Sequence, residues 1–200
     1  MTEKAVRIEC TILFCDIRGF TALFDQRDPL EAMVFANAVL GTLGAVVEHC
    51  HGSIDKFTGD GFLAHFGVTE QVDNHAKNAC ECALRMRVAL EKLNSTRYLA
   101  LQPIVNIGIG INSGVVAAGT ISTHGRQEFT VLGSVVNLAA RIEGLTKYFG
   151  VDCLISTATQ SGLNEAFLLQ KMPERRLRGV EDSETTFWLL PMNQVSAESR

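Results

Sequence analysis

Apolar and polar residues alternate along the first part of the chain in a pattern that predicts a strand, a helix and a hairpin. Residues Val6 to Ile17 read as a strand, and the nearly continuous apolar second half of that segment is typical of a strand inside a sheet. Asp28 and Pro29 provide a helix N-cap and a first-turn proline, and apolar residues then recur at helical spacing as far as Gly52. Two apolar segments flank Thr58-Gly59-Asp60-Gly61 and predict a β-hairpin.

The rest of the chain continues with two more helical patterns and several strand-like segments. In chain order these are a helix over about Val72–Leu93, strands over Ile104–Ile111, Val115–Ile121 and Glu128–Leu132, a helix from Ser134 to Phe149, and strands within Phe167–Leu190. Gly108 and Gly110 allow another part of the backbone to approach the first of these strands closely. The order βαββαβ predicts an α+β fold with a ferredoxin-like palm core, helices on one face of a largely antiparallel sheet, and additions at its C-terminal end.

Composition and charge favour an ordinary enzyme domain. The 200 residues are 46% hydrophobic and show neither a second composition regime nor an internal repeat, so we expect one domain over residues 1–200. The net charge of −4 argues against a surface that binds nucleic acid or an anionic membrane. No apolar stretch approaches the roughly 18 residues of a spanning helix, and the polar start Met1-Thr2-Glu3-Lys4 does not resemble a signal peptide. We therefore expect a cytoplasmic protein without a membrane segment.

The six cysteines are predicted to be reduced and mostly buried. They form no Cys-x-x-Cys pair, and Cys15 lies in the apolar strand. Cys80, Cys82 and His75 invite a metal-site interpretation, but residues two apart on a helix point to different faces. Buried thiols that act as small apolar side chains are therefore the expectation.

Two aspartates lie in settings that suggest a metal site. Asp16 ends the apolar strand, and Asp60 lies at the glycine-flanked tip of the hairpin, so both carboxylates can face solvent from a rigid sheet. Magnesium prefers oxygen ligands and usually keeps room for water and substrate phosphates. The alternative is that Asp16 caps a helical turn and Asp60 merely serves the hairpin. The pairing suggests phosphate chemistry.

Three motifs in a fixed order resemble those of class III adenylyl cyclase catalytic domains, over about residues 8–190. The first two are similar to the family's metal-binding motifs, and the third to its base-reading and transition-state segment. They read Phe14-x-Asp16-Ile17-x-Gly19-Phe20-Thr21, then Lys56-x-x-Gly59-Asp60-Gly61, and then Asn112-x-Gly114 followed by Phe129-Thr130-Val131-Leu132-Gly133-x-x-Val136-Asn137-x-Ala139-x-Arg141.

The resemblance implies that ATP is converted to 3′,5′-cyclic AMP and pyrophosphate. It implies that Asp16 and Asp60, with the backbone carbonyl of Ile17, bind two divalent cations, Mg²⁺ or Mn²⁺. One ion would activate the ribose 3′-hydroxyl and the other would neutralise the phosphates and the leaving group.

Asn137 and Arg141 are spaced i, i+4, so a helix after Gly133 presents both from one face. By the resemblance, Asn137 orients the ribose and Arg141 stabilises charge on the transferring phosphate, for which a guanidinium fork is well suited. Without the resemblance, both residues would read as a solvated helix face.

The resemblance also indicates which purine base the site selects. Lys56 matches the lysine that reads adenine N1, and Thr130 stands where many members have aspartate, as in the threonine-bearing subgroup found in bacteria and in mammalian soluble cyclase. A threonine hydroxyl can accept from the N6 amino group. Guanylyl cyclases typically carry glutamate and a small polar residue at these positions, so Lys56 favours ATP. Taken alone, Lys56 could be an exposed strand lysine and Thr130 a residue chosen for β-propensity.

Arg178 stands where the family commonly has a lysine that contacts the terminal phosphates. Arginine keeps the charge and can bind phosphate bidentately, so the resemblance implies the same role for Arg178. The competing interpretation is a solvated arginine cluster with Arg175 and Arg176.

In this family the metal set and the base and transition-state set face each other across a head-to-tail dimer cleft. Because the chain carries both sets, the resemblance implies a homodimer with two equivalent sites. We expect any regulatory domain to lie outside this sequence. Three alternatives to this interpretation are a diguanylate cyclase, which the hairpin sequence disfavours; a guanylyl cyclase; and a catalytically silent module that only dimerises or binds a nucleotide.

Overall fold

The structure is a computed structural model that describes residues 5–70, 72–163, 167–176 and 183–191. Its elements in chain order are β1 (Val6–Ile17), α1 (Phe20–Phe24), α2 (Pro29–His49), β2 (Gly52–Phe57), β3 (Gly61–Phe66), α3 (His75–Leu99), β4 (Ile107–Thr123), β5 (Arg126–Leu132), α4 (Ser134–Phe149), β6 (Cys153–Ser156), α5 (Thr157–Ser161), β7 (Leu169–Lys171), β8 (Arg175–Arg176), β9 (Ser183–Glu184) and β10 (Thr186–Leu189).

The main sheet has the strand order β2-β3-β1-β4-β6-β10-β7, and β5 pairs with the far half of β4. The pairs β2–β3, β3–β1 and β1–β4 are all antiparallel, whereas β4 and β6 run parallel. This order places β1 at the centre, as the apolar second half of that strand predicts. The predicted α+β ferredoxin-like βαββαβ core, with additions after it, is confirmed.

Helices cover both faces of the sheet, so the prediction that they lie on one face is wrong. The helices α2 and α3 pack on the face that carries Leu13, Ile109 and Ile111. The helix α4 packs on the opposite face, where the Cβ positions of Gly108 and Gly110 are filled by Glu143 and its neighbours on α4. On β4, the isoleucines therefore pack against the layer of α2 and α3, whereas the glycines leave space for α4 on the other face.

The absence of a side chain at Gly110 lets α4 reach the sheet, and a methyl group there should be costly. An added Cβ would meet the backbone nitrogen of Glu143 and the carbonyl of Ala139, with Glu143 Cα at 2.7 Å. We expect Gly110→Ala to lower the free energy of unfolding by about 1–3 kcal/mol in urea denaturation, because backbone cannot yield as a flexible side chain does.

Gly144→Ala is the matched control, since nothing lies within 4 Å of a Cβ at that position of α4. It should leave stability unchanged or raise it by up to about 1 kcal/mol through helix propensity. Equal stability of Gly110→Ala and the wild type would contradict the proposed close approach.

The helix α2 begins as predicted, with the Asp28 side chain accepting a hydrogen bond from the Leu30 N–H. It is 21 residues long, an 18-residue window within it has a mean hydropathy of 1.8, and it is long and apolar enough to cross a membrane, which corrects the expectation that no such stretch exists. Its side chains at Val39, Leu43 and Val47 are buried in the core against the sheet and α3. A core helix of a folded domain has the same composition.

Other boundaries differ from prediction. The helix α3 begins at His75 and runs on to Leu99, beyond the end predicted at Leu93, and its last turn is exposed. The strand β4 is continuous from Ile107 to Thr123, although two shorter strands were predicted. The short elements α1, β6 and α5 were not predicted. All six cysteines are free and buried, as predicted.

Candidate active site

The ends of β1 and the β2–β3 hairpin bring Asp16 and Asp60 together. Asp16 is paired with Gly61, the first residue of β3, and the Ile17 N–H donates to the Asp60 carbonyl at 2.9 Å. Gly61 has to be a glycine here, because a Cβ would collide with the Cys15 carbonyl and lie 3.0 Å from the Asp16 carboxylate. The two aspartate side chains are within hydrogen-bonding reach of each other. The predicted pair is therefore formed within one chain.

The electrostatics of this pair suit a cation. The pKa of Asp16 is raised to about 6, first because partial burial removes the carboxylate from water, and then because of the negative charges of Asp60 and Glu143. Arg18 opposes this shift without cancelling it. Carboxylates that repel each other in a half-buried setting are stabilised by a bound metal ion.

Glu143 and Thr146 of α4 belong to the surroundings of this site, and the sequence did not identify them. The Arg18 side chain donates a hydrogen bond to the Thr146 hydroxyl and lies 3.8 Å from a Glu143 carboxylate oxygen. Burial raises the pKa of Glu143, and Arg18 counteracts that shift. Only packing of α4 across Gly108 brings these side chains to the end of β1.

Any metal would depend on few protein ligands. Among residues 5–70, 72–163, 167–176 and 183–191, no group of three or more His, Cys, Asp or Glu side chains is arranged to hold an ion. The donors available at the end of β1 are the Asp16 and Asp60 carboxylates and nearby backbone carbonyls such as that of Ile17. This oxygen-only set fits Mg²⁺ or Mn²⁺, which complete their shells with water and phosphate oxygens.

Lys56 and Thr130 also lie together in one chain. The Lys56 ammonium donates to the Thr130 hydroxyl at 3.0 Å and to a Glu128 carboxylate oxygen at 3.4 Å. Although burial lowers the pKa of Lys56, its hydrogen bonds with Asp55 and Glu128 outweigh that effect and the pKa lies above its usual value. Lys56 is therefore a cationic donor next to a hydroxyl group.

Asp55 joins this group, and the sequence did not identify it. Strict alternation along β2 would put Asp55 and Lys56 on opposite faces, but the register between β2 and β3 shifts between Ile54 and Lys56. This β-bulge lets both side chains reach Thr130, and bulges are common beside active sites. The Asp55 carboxylate accepts from the Thr130 hydroxyl at 3.0 Å and from the Val131 N–H at 3.3 Å.

The helix α4 carries Asn137 and Arg141 one turn apart, as predicted, with Asn137 exposed and Arg141 partly exposed. The helix start is fixed by the buried Asn112 of β4, whose amide donates to the Val135 carbonyl at 2.9 Å. That contact gives the motif residue Asn112 a structural role at the start of the helix that carries Asn137 and Arg141.

The predicted site residues therefore form separate groups. The interactions described for Asp16 are with Asp60, Glu143 and Arg18, whereas those for Thr130 are with Asp55 and Lys56, so the two groups share no partner among the described contacts. Arg178, expected to contact phosphate, lies outside the described residues.

Comparison with known proteins identifies the family of this chain. A family profile described as the adenylate and guanylate cyclase catalytic domain matches residues 3–191. An adenylate cyclase of Anabaena cylindrica is 38% identical over 166 residues, covering 80% of this chain and 32% of that protein. Adenylate cyclase 1 of Rhizobium meliloti is 29% identical over 177 residues, covering 88% and 27%. The chain thus spans about a third or less of the length of these relatives.

Solved structures agree with the fold and include both base specificities. The guanylyl cyclase Cya2 superposes with a TM-score of 0.87 at 29% identity, covering 98% of each chain. The adenylyl cyclase CyaB of P. aeruginosa, at 24% identity and a TM-score of 0.85 over 96% and 98% of the chains, shares the fold. A rhodopsin-guanylyl cyclase core with converted specificity, solved with ATPαS, matches at 27% identity and a TM-score of 0.80, covering 96% of this chain and 100% of that one. The chain belongs to the adenylate and guanylate cyclase catalytic domain family.

Proposed function

We propose that this chain is an adenylyl cyclase catalytic domain, with a core over about residues 8–190, that converts ATP to 3′,5′-cyclic AMP and pyrophosphate in the cytoplasm. The observation that carries the choice of ATP is the contact of Lys56 Nζ with Thr130 Oγ1 at 3.0 Å. An ammonium donor matches the acceptor N1 of adenine, and a hydroxyl oxygen can accept from the N6 amino group. Guanine offers a donor at N1 and an acceptor at O6, which fits this pair less well.

The aspartate pair is proposed as the metal site. Domains of this family generally use divalent metal ions. Two such ions, Mg²⁺ or Mn²⁺, would supply a lowered pKa for the ribose 3′-hydroxyl and charge neutralisation at the phosphates. Asp16, Asp60 and the Ile17 carbonyl would hold them, and the partial burial and the repulsion by Asp60 that raise the pKa of Asp16 support this role.

Asn137 and Arg141 are proposed to act on the sugar and the reacting phosphate. Both lie on the same side of α4, one turn apart. The Asn137 amide can donate to and accept from ribose oxygens, which orients the 3′-hydroxyl. The Arg141 guanidinium can pair with two phosphate oxygens at once, and such a fork stabilises negative charge that develops there. Arg178 is proposed to contact the terminal phosphates.

The active species is proposed to be a symmetric homodimer with two sites at its interface. Cyclase domains of this family act as dimers on a nucleotide substrate. One observation supports a shared site here: the β4–β5 hairpin exposes the apolar side chains of Val115, Ile121 and Leu132. Apolar side chains that are exposed together often mark an interaction surface. A regulatory domain is proposed to lie outside this sequence, since the matched segments cover only 32% and 27% of the two adenylate cyclase relatives.

Product identification tests this function directly. Purified protein is incubated with ATP or GTP and Mn²⁺, and the products are separated by chromatography beside authentic cyclic nucleotides. We expect 3′,5′-cyclic AMP and pyrophosphate from ATP, with a higher kcat/KM for ATP than for GTP. A preference for GTP would instead support a guanylyl cyclase, which the similarity to Cya2 keeps as the second candidate. No cyclic product from either nucleotide would support a silent module.

A double substitution should shift base choice. We expect Lys56→Glu with Thr130→Cys to lower ATP use and raise relative GTP use, because a carboxylate can accept from guanine N1 and N2 where an ammonium cannot. The shift should be partial, since pocket shape also contributes. The measurement is the ratio of kcat/KM values for ATP and GTP, and an unchanged ratio would show that these side chains do not read the base.

A further inference from the structure

The Asp55 side chain is the most deeply buried acidic group near the base-reading residues. None of its surface is exposed, whereas the neighbouring Lys56 side chain is 38% exposed. A buried carboxylate has to be satisfied by donors, and three surround it: the Thr130 hydroxyl at 3.0 Å, the Val131 N–H at 3.3 Å and the Lys56 ammonium at 3.2 Å. Thr130 thus lies between a buried acceptor and a half-exposed donor.

These contacts fix the direction of the hydrogen bonds at Thr130. A threonine hydroxyl has one hydrogen and two lone pairs. Its hydrogen goes to Asp55 Oδ2, because a carboxylate beside an ammonium can only accept. Lys56 takes one lone pair, because an ammonium can only donate. What Thr130 can offer an incoming base is therefore the second lone pair, that is, an acceptor.

We propose that Asp55 is a specificity-determining residue that holds the Thr130 hydroxyl as an acceptor, and so selects a purine with an amino group at position 6 over one with a carbonyl. This inference rests on the proposed function, and it adds a residue that does not touch the base. Adenine N6 donates to the acceptor that Asp55 maintains. Guanine O6 would face a lone pair instead of a hydrogen, which is repulsive in a site shielded from water.

Lys56 has to give up one of its present hydrogen-bond acceptors before it can donate to the base. Its three hydrogens point to oxygens of Asp55, Thr130 and Glu128. The contact with Glu128 is the longest, at 3.4 Å, and Glu128 is also held by Arg126 at 2.7 Å. An incoming adenine N1 therefore replaces Glu128, while Asp55 and Thr130 keep their hydrogen bonds.

The test is Asp55→Asn, with kcat/KM measured for ATP and GTP under identical conditions. The Val131 N–H retains the oxygen of the new amide side chain, so the amide nitrogen takes the place of Oδ2, becomes a donor to the Thr130 hydroxyl and leaves Lys56 without its Asp55 acceptor. The threonine hydrogen is then released toward the base, where it matches guanine O6. We expect the ATP to GTP ratio to fall by at least about tenfold. A merely structural role would lower both values together and leave the ratio unchanged.

Two matched variants separate this effect from the loss of charge beside Lys56. Glu128→Gln removes a carboxylate at a similar distance from Lys56, and the described contacts of Glu128 are with Lys56 and Arg126. For this variant, the ratio of kcat/KM for ATP to kcat/KM for GTP should stay within about twofold of the wild-type ratio, even if both values change. Thr130→Val removes the hydroxyl, so Asp55→Asn added to that background should change the ratio no further.

The outcomes distinguish this inference from the function on which it rests. The role of Asp55 is supported if the wild type prefers ATP and Asp55→Asn lowers the ATP to GTP ratio of kcat/KM. It also requires that Asp55→Asn changes this ratio no further in the Thr130→Val background. A wild type that prefers ATP with an unchanged ratio in Asp55→Asn overturns the role of Asp55 and leaves the adenylyl cyclase assignment intact. A reduced ratio in Glu128→Gln of the same size also overturns it. A wild type that prefers GTP, or makes no cyclic nucleotide, overturns both.

Discussion

Asp16→Asn and Asp60→Asn should each lower the kcat/KM for cyclic AMP formation by at least about 100-fold, since each removes an anionic ligand from the place where charge has to be balanced during phosphoryl transfer. The amide keeps the size of the carboxyl group, so geometry is preserved while the charge is lost. The measurement is cyclic AMP produced by purified variants with Mn²⁺ over a range of ATP concentrations.

The stability of these variants separates a chemical effect from unfolding. In EDTA, Asp16→Asn should unfold at the same temperature as the wild type or higher, because the substitution removes repulsion with Asp60 and Glu143. Asp73→Asn is the matched control, an identical chemical change at an exposed position beside the start of α3, and it should keep normal activity. Near-normal turnover by a folded Asp16→Asn or Asp60→Asn variant would rule out the metal site.

Mixing two inactive variants should restore activity if the site is shared between subunits. Asp16→Asn and Arg141→Ala are each expected to be nearly inactive, because one lacks a metal ligand and the other the cation at the phosphate. In a mixed dimer, one interface combines the intact aspartates of the Arg141 variant with the intact arginine of the Asp16 variant. The other interface receives both damaged elements. One of two sites then works.

The recovered activity has an expected size. Random exchange makes about half of the dimers mixed, so activity should approach roughly one quarter of the wild-type value if the two sites are independent. Differently tagged chains and pull-down verify the exchange. Activity that stays at the single-variant level despite verified exchange would mean that Arg141 and the aspartates act within one chain.

Individual strands and helices could be predicted from the sequence because their formation depends mainly on residues close together in the chain. The boundaries of β1, the N-cap of α2 and the start of α4 were predicted correctly, since alternation, capping and a Gly-Ser helix start are short-range effects. The pairing of Asp16 with Asp60 was also predictable, because an antiparallel hairpin beside a central strand leaves little choice for the position of its turn.

Contacts that depend on which face of the sheet a helix covers, or on the register between two strands, could be seen only in the tertiary structure. Strict alternation would put Asp55 on the face away from Lys56, and only the bulge in β2 turns both toward Thr130. Glu143 joins the aspartates because α4 packs on the face opposite to α2 and α3, which no periodicity within α4 could reveal.

The sequence by itself thus determined the family, the order of the main elements and the residue types able to bind metal, phosphate and purine. The tertiary structure decided which of these residues contact each other within one chain. It also decided which of their hydrogen-bond donors and acceptors remain available to a substrate. The physical reason is that propensities and spacing act within a few residues along the chain. The direction of the hydrogen bond at Thr130 depends on a buried carboxylate 75 positions away in the sequence.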